Sequence, residues 1–95
     1  MKIELHPSAL HELREAHRWY YERSPLVASG FAREIQSAME RIEEAPNRYP
    51  EGEHGTRRFV VSRFPFTVVY RASESLITIV AVAHPRRQPG YWSIR

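Results

Sequence analysis

The stretch Leu76-Ile77-Thr78-Ile79-Val80-Ala81-Val82-Ala83 is apolar at every position except one. Such a run predicts a strand that is covered on both faces, and therefore a central one. One short turn earlier, the sequence from Phe66 to Arg71 alternates as a second strand. Its Phe66, Val68 and Tyr70 share one face, which we predict to be core.

Further strands and a loop surround this pair. Arg57 to Ser62 predicts another strand, and the short connections make the three C-terminal strands antiparallel neighbours. Residues 46–56 contain two prolines and two glycines, which break any periodicity and predict a loop. Near the start of the chain, Lys2 to His6 alternates as a short strand.

Two amphipathic helices fill the remaining sequence. The first begins at Pro7 and ends near Arg23, with apolar residues at spacings of three and four. Ser24 and Pro25 have the chemistry of an N-cap and a first helical residue, and Pro46 ends the second helix. The apolar stripe of the second helix consists of Val27, Phe31, Ile35, Ala38, Ile42 and Ala45.

The element order β-α-α-β-β-β predicts one α+β domain over residues 1–95. A helical hairpin should pack on one face of a small antiparallel sheet. The other face cannot be wholly apolar, and we expect Arg71 and some of Arg57, Arg58 and Arg63 to emerge there. The 42% hydrophobic content suffices for a single core.

Positive charge is concentrated in the second half of the chain. Residues 1–56 carry seven basic residues and ten glutamates, a net of −3, whereas residues 57–95 carry seven arginines and one glutamate, a net of +6. Arginine forks to phosphate or carboxylate and stacks on aromatic rings. A codon bias explains the choice of arginine over lysine equally well, but it does not explain the scarcity of acids after Glu53. The split predicts a basic surface for an anionic partner.

Several classes of chemistry are disfavoured by the residues present. There are no cysteines, no two histidines have the helical spacing of a zinc site, and the four glycines form no phosphate loop. We therefore expect no metal and no cofactor. No apolar run approaches the roughly 20 residues that span a bilayer, and the N-terminus lacks a signal-peptide pattern. These features predict a cytoplasmic protein without a membrane partner.

The segment His84-Pro85-Arg86-Arg87-Gln88-Pro89-Gly90-Tyr91-Trp92 follows the central strand and mixes cations with aromatic rings. Metal-free RNA cleavage needs a base, an acid and cations that stabilise the phosphorane. His84 is a candidate catalytic residue for such cleavage. Alternatively, it simply ends the strand, with its ring hydrogen-bonded to the backbone. The two adjacent arginines, with two aromatic residues nearby, favour a binding role over a solvated pair.

Two other groups receive no chemical role. The aromatic residues late in the first helix are interpreted as hairpin core plus one exposed ring, and they are Trp19, Tyr20 and Tyr21. The helix glutamates are interpreted as a solvated face, and they include Glu12, Glu15, Glu40 and Glu44.

Three motifs in order resemble toxins of the RelE/ParE superfamily, the toxin halves of bacterial type II toxin–antitoxin pairs. They are Arg57-Arg58-Phe59, then Arg63-Phe64-Pro65-Phe66-Thr67-Val68-Val69-Tyr70-Arg71, then Ile79 through Trp92 with its closing His-Pro-Arg-Arg-x-Pro-x-Tyr-Trp run. The segment from His6 to Tyr20 is also similar, so the resemblance covers essentially the whole chain. It implies a toxin domain and a small, acidic cognate antitoxin that lays a helix or strand over the basic face.

The superfamily divides by activity. RelE-like toxins cut mRNA in the ribosomal A site, whereas ParE-like toxins poison DNA gyrase and are not nucleases. For a RelE-like protein, the resemblance matches Arg87 and Tyr91 by position to an arginine and a tyrosine on which cleavage relies, and His84 completes the predicted catalytic set. A histidine is also frequent at the position of His84 in ParE-like chains. Thr67 stands where a RelE-type strand arginine falls, and the lysines of some nucleases are missing, so the pattern leans towards ParE.

The predicted function is therefore a ParE-like toxin that inhibits growth through DNA gyrase. The alternatives are a RelE-like ribosome-dependent mRNA endoribonuclease and a noncatalytic RNA- or protein-binding module derived from such a toxin. Expected partners are the antitoxin, in a toxin–antitoxin hetero-oligomer, and either gyrase or the ribosome with mRNA. The residues predicted to bind target or antitoxin are Arg57, Arg58, Arg63, Arg71, Arg86 and Trp92.

Overall fold

A computed structural model describes all 95 residues, and its element order is the predicted one. The elements are β1 (Lys2–Leu5), α1 (Pro7–Arg23), α2 (Pro25–Glu44), β2 (Arg57–Val60), β3 (Thr67–Ala72) and β4 (Leu76–Ala83). Both helices pack on a four-stranded sheet, which makes an α+β fold as expected. No helix combines the length and the apolar character needed to cross a bilayer.

The strands lie in the order β1-β4-β3-β2, so β4 is interior, as its apolar run predicted. Strands β2, β3 and β4 are antiparallel neighbours, which is also as predicted. Strand β1 pairs with β4 in parallel, and the sheet is therefore mixed rather than wholly antiparallel. No short connection joins this pair, because the helical hairpin and two strands separate β1 from β4 in the sequence, and its direction was therefore not predicted.

A β-bulge interrupts the pairing of β3 with β4. Val69 lies opposite Ala81 and Tyr70 lies opposite Ile79, which leaves Val80 as an extra residue in β4. A bulge places successive residues on the same face of a strand. Val80 and Ala81 accordingly pack together in one small cluster on the face away from the helices.

The main core lies between the helices and the sheet. Buried residues of α2 confirm most of its predicted stripe, and Val68 and Tyr70 face them from β3 as expected. Val27 is an exception, because it lies in the first turn of α2 and remains exposed. Ser24 is the predicted N-cap, and its hydroxyl oxygen accepts a hydrogen bond from the Val27 N–H at 3.3 Å.

The aromatic residues late in α1 differ from the prediction by one ring. Tyr20 packs against Phe31 and Phe64, with ring centroids 5.2 Å apart in each case. Trp19 and Tyr21 are both exposed, so two rings rather than one remain outside the core. Each is turned about 100° around the helix from Tyr20, which carries both away from the buried face.

Part of the second face of the sheet is covered by residues 84–95, here called the C-terminal segment. Its Trp92 is only 8% exposed and packs against Val69, Val80 and Ala81. This segment folds back beside α1, and the cleft described next lies between the two.

Candidate binding cleft

Four of the predicted site residues, His84, Arg86, Arg87 and Tyr91, line one cleft of about 570 Å³. Residues of α1 form the opposite wall. Strand β4 leads directly into His84, and the turns of the C-terminal segment then bring the two arginines and the tyrosine around the cleft.

Glu12 of α1 also lines this cleft. The prediction that Glu12 belongs to a solvated face was wrong, because its side chain is only 10% exposed. Its Oε1 and Oε2 atoms accept hydrogen bonds from Nη1 and Nη2 of Arg95, each at 3.0 Å. Oε2 also lies 3.7 Å from Nη1 of Arg87. One carboxylate therefore holds two arginines of the C-terminal segment.

The helical spacing explains why Glu12 is buried. It lies three residues after Ala9 and four before Ala16, both of which are buried on the inner face of α1. Residues at these spacings share a face of a helix. The same spacing was visible in the sequence and is the signal that could have identified Glu12.

Glu12 and Arg95 also hydrogen-bond to the backbone of β4. Oε1 of Glu12 accepts from the Val82 N–H at 3.0 Å, and Nη1 of Arg95 donates to the Val80 carbonyl at 3.2 Å. The last paired residue of β1 is Leu5, opposite Ile79. The two side chains thus bond to β4 just beyond the end of its partner strand.

Tyr91 lies beneath two guanidinium groups. Its ring centroid is 3.8 Å from Cζ of Arg87 and 5.0 Å from Cζ of Arg95, both within cation–π range. Its hydroxyl is buried and makes no hydrogen bond to another protein group, so the Glu12 carboxylate acts on it as a neighbouring charge. Burial and then the Glu12 carboxylate raise the pKa of Tyr91 to about 12, although both arginines oppose the shift. The hydroxyl is therefore protonated at neutral pH.

His84 bonds to the backbone, as one of its two interpretations predicted. Its Nδ1 accepts a hydrogen bond from the Arg86 N–H at 3.1 Å. The ring also packs edge-on against Phe66, with centroids 5.3 Å apart. In neutral His84 this bond places the proton on Nε2, so that atom is a donor rather than a base.

The two arginines that line the cleft differ in their contacts within the protein. Arg87 is held by Glu12 and Tyr91, yet its side chain remains 53% exposed. Arg86 is exposed and forms no ion pair within the protein. These two guanidiniums are the cations that the cleft offers to a partner.

Two of the other predicted arginines lie on β2. Arg57 is opposite Tyr70 and faces the helix side, where it donates to the Tyr49 carbonyl and to Glu51 at 2.8 and 3.0 Å. Arg58 is opposite Val69, on the face away from the helices, and is exposed. Neither residue lines the cleft.

The remaining predicted residues are also outside the cleft. Arg63 lies 3.7 Å from Glu34 of α2. Arg71 emerges on the face away from the helices, as expected, and donates to the carbonyls of His54 and Arg95 at 3.0 and 3.2 Å. Trp92 is buried on the sheet, so its ring is not presented to solvent. No three histidine or acidic side chains come together in a way that could hold a metal ion.

The element order and the helical hairpin packed on the sheet agree with the resemblance to toxins of the RelE/ParE superfamily. The sequence matches the family described as "ParE toxin of type II toxin-antitoxin system, parDE" over residues 3–89. The chain belongs to this family of toxins.

A solved structure is also similar to this protein. It is a chain of the "Chromosomal ParDE TA system from P. aeruginosa", with a TM-score of 0.77 and 19% sequence identity. The match covers 88% of this chain and 95% of that chain, and at this identity it supports the fold alone. No curated protein sequence matches the chain significantly.

Proposed function

We propose that this ParE-family toxin stops growth by acting on DNA gyrase and that the cleft contributes part of the surface that contacts its target. The observation that carries this proposal is the buried hydroxyl of Tyr91, which is closed to solvent, in a cleft that presents exposed Arg86 and half-exposed Arg87. This arrangement suits binding of an acidic partner better than proton transfer.

Other features support binding over RNA cleavage. The Nδ1 atom of His84 accepts a hydrogen bond from a backbone N–H, so this nitrogen is not free to act as a general base. The strand position where a RelE-type arginine falls carries Thr67, and Thr67 does not line the cleft. A nuclease built on this cleft would therefore lack a strand cation that stabilises the phosphorane.

A RelE-like activity is favoured by one observation, the meeting of His84, Arg87 and Tyr91 in a single cleft. That activity would require the Tyr91 hydroxyl to become accessible to RNA. Primer extension on a translated mRNA tests this alternative, because ribosome-dependent cleavage produces codon-phased cuts.

We further propose that a small acidic antitoxin covers the cleft in a toxin–antitoxin hetero-oligomer and that both proteins work in the cytoplasm. The net charge of +6 over residues 57–95 supports an acidic partner. Arg58 and Arg63 are exposed and are proposed as further contacts. Arg57 and Arg71 make hydrogen bonds within the protein, and Trp92 is buried. We propose that these residues support binding indirectly, by stabilising the structure beneath the binding surface.

The test is expression of the toxin without its antitoxin, followed by gyrase assays with the purified protein. We expect growth arrest, with inhibited supercoiling or accumulated cleaved DNA. Growth arrest with codon-phased mRNA cuts and unaffected gyrase would replace this proposal with the RelE-like one. Harmless overexpression would favour the noncatalytic binding module.

A further inference from the structure

We propose that Glu12 is the positioning residue of the C-terminal segment and that its carboxylate determines where Arg87 and the Tyr91 ring lie in the cleft. The inference deepens the proposed function, because it concerns the surface that we assign to the target. It also stands on contacts that do not depend on which target is bound.

No backbone–backbone hydrogen bond holds the C-terminal segment to the rest of the protein. Its backbone hydrogen bonds outside strands are all local turns, running from the N–H of one residue to the carbonyl three residues earlier. They are Arg87 to His84, Tyr91 to Gln88, Ser93 to Gly90 and Arg95 to Trp92. Such turns shape a segment but do not locate it on a sheet, so side chains must do so.

Three side-chain anchors locate the segment. Trp92 packs on the sheet, Arg71 donates to the Arg95 carbonyl, and Glu12 binds the Arg95 guanidinium with both oxygens. Trp92 belongs to the apolar cluster against which Tyr91 packs, but of these anchors only Glu12 also lies close to Arg87. Glu12 is therefore the anchor that connects the placement of the segment to the binding surface.

Charge strengthens this role. The side chain of Arg95 is only 15% exposed, and the only carboxylate that it contacts is Glu12. Without that carboxylate, Arg95 would be a largely buried cation facing Arg87, and an unpaired buried charge is strongly unfavourable. The segment would relieve this cost by moving away from α1, which would carry Arg87 and Tyr91 out of their present positions.

The experiment compares Glu12→Gln with Arg95→Gln, with the double variant and with Glu40→Gln as the matched control. Glu40 is an exposed carboxylate on α2 outside the cleft. Glutamine preserves the shape of Glu12 and one acceptor for the Val82 N–H, so the substitution chiefly removes charge. Arg95→Gln removes the same ion pair from the segment itself, which keeps the test available if Glu12→Gln fails to fold.

Two structural readouts do not depend on any target. Hydrogen exchange of residues 84–95 should become about tenfold faster or more in either single variant, while β3 and β4 stay protected. The side-chain carbon signal of Tyr91, followed by NMR as a function of pH, should titrate at lower pH in Glu12→Gln, because a nearby negative charge has been removed. The double variant should resemble the single variants, since both act through one interaction.

The functional readout is growth inhibition at matched expression, which should weaken in both single variants and be unchanged in Glu40→Gln. Unchanged exchange and an unchanged Tyr91 titration in Glu12→Gln would overturn the positioning role, whatever the toxin does to gyrase. A loosened segment with full growth inhibition would overturn its connection to the target surface. If the unmodified protein does not affect gyrase, the proposed function fails, and exchange and Tyr91 titration still decide the role of Glu12.

Discussion

The guanidinium of Arg95 binds both carboxylate oxygens of Glu12 at 3.0 Å, across a separation of 83 residues in the sequence. Bidentate arginine–carboxylate pairs are the stronger kind of charge-assisted hydrogen bond. This pair joins α1 to the C-terminal segment and so connects the two walls of the cleft.

Glu12→Ala should lower the free energy of unfolding by about 3 kcal/mol, because it leaves the largely buried Arg95 without its partner. Urea denaturation at pH 7 measures this change. The exposed Glu40→Ala serves as the control and should change stability by less than about 0.5 kcal/mol. Equal stability of the two variants would mean that the Glu12–Arg95 ion pair is screened by solvent and contributes little to the free energy of unfolding.

Tyr91→Phe should leave stability at pH 7 nearly unchanged, because the buried hydroxyl that it removes makes no hydrogen bond. Its effect should appear at high pH. The folded-state pKa of Tyr91 is raised from 10.0 to about 12, so ionisation of Tyr91 disfavours the folded state, and stability falls as the pH rises from 10 to 12.

The variant should therefore show a shallower loss of stability between these pH values. Tyr20 and Tyr70 also have pKa values raised by burial and will contribute to the slope that remains. Denaturation midpoints measured at several pH values compare the two proteins. A slope in Tyr91→Phe as steep as in the unmodified protein would contradict the raised pKa of Tyr91.

Arg87→Ala should weaken growth inhibition by about tenfold or more, because Arg87 is half-exposed and is one of the cations that we propose contact the target. Arg87→Lys keeps the charge but loses the planar group that stacks on Tyr91, and it should have an intermediate effect. A titration of inducer against growth rate measures both, with Arg33→Ala on α2 as an exposed-arginine control. Full toxicity in both Arg87→Ala and Tyr91→Phe would show that the cleft is not the site.

Trp92→Ala should lower the free energy of unfolding by about 3 kcal/mol or more, because Trp92 is buried against β3 and β4. Thermal or urea unfolding measures this loss. Trp19→Ala is the matched control, since its ring is exposed, and it should cost much less. A similar loss in both variants would argue against Trp92 as the apolar anchor of the C-terminal segment.

Much of the fold could be predicted from local patterns. The helix boundary at Ser24 follows from its capping hydroxyl and the proline after it, and the interior position of β4 follows from its continuous apolar run. The same run concealed the bulge at Val80, because a strand that is apolar on both faces has no alternation that a bulge could interrupt. The parallel pairing of β1 was hidden for a different reason, since distant strands leave no turn signal between them.

The site was predicted less completely than the fold. The sequence drew attention to the residues from His84 to Tyr91, and the structure gathers these side chains in one cleft. The sequence could not show that Arg57 faces the helix side or that Trp92 is buried. Both features depend on strand pairing and on how the chain folds back.

Local sequence patterns suffice to predict the helices, the central strand, the excess of positive charge after residue 56 and membership of the ParE toxin family. The contacts of Glu12 with Arg95 and Arg87, and the burial of the Tyr91 hydroxyl, became visible in the folded structure. The difference arises because these contacts join residues that lie far apart in the sequence. Periodicity records which face of one element avoids water, whereas the pairing of charges distant in sequence depends on how the packed elements bring them together.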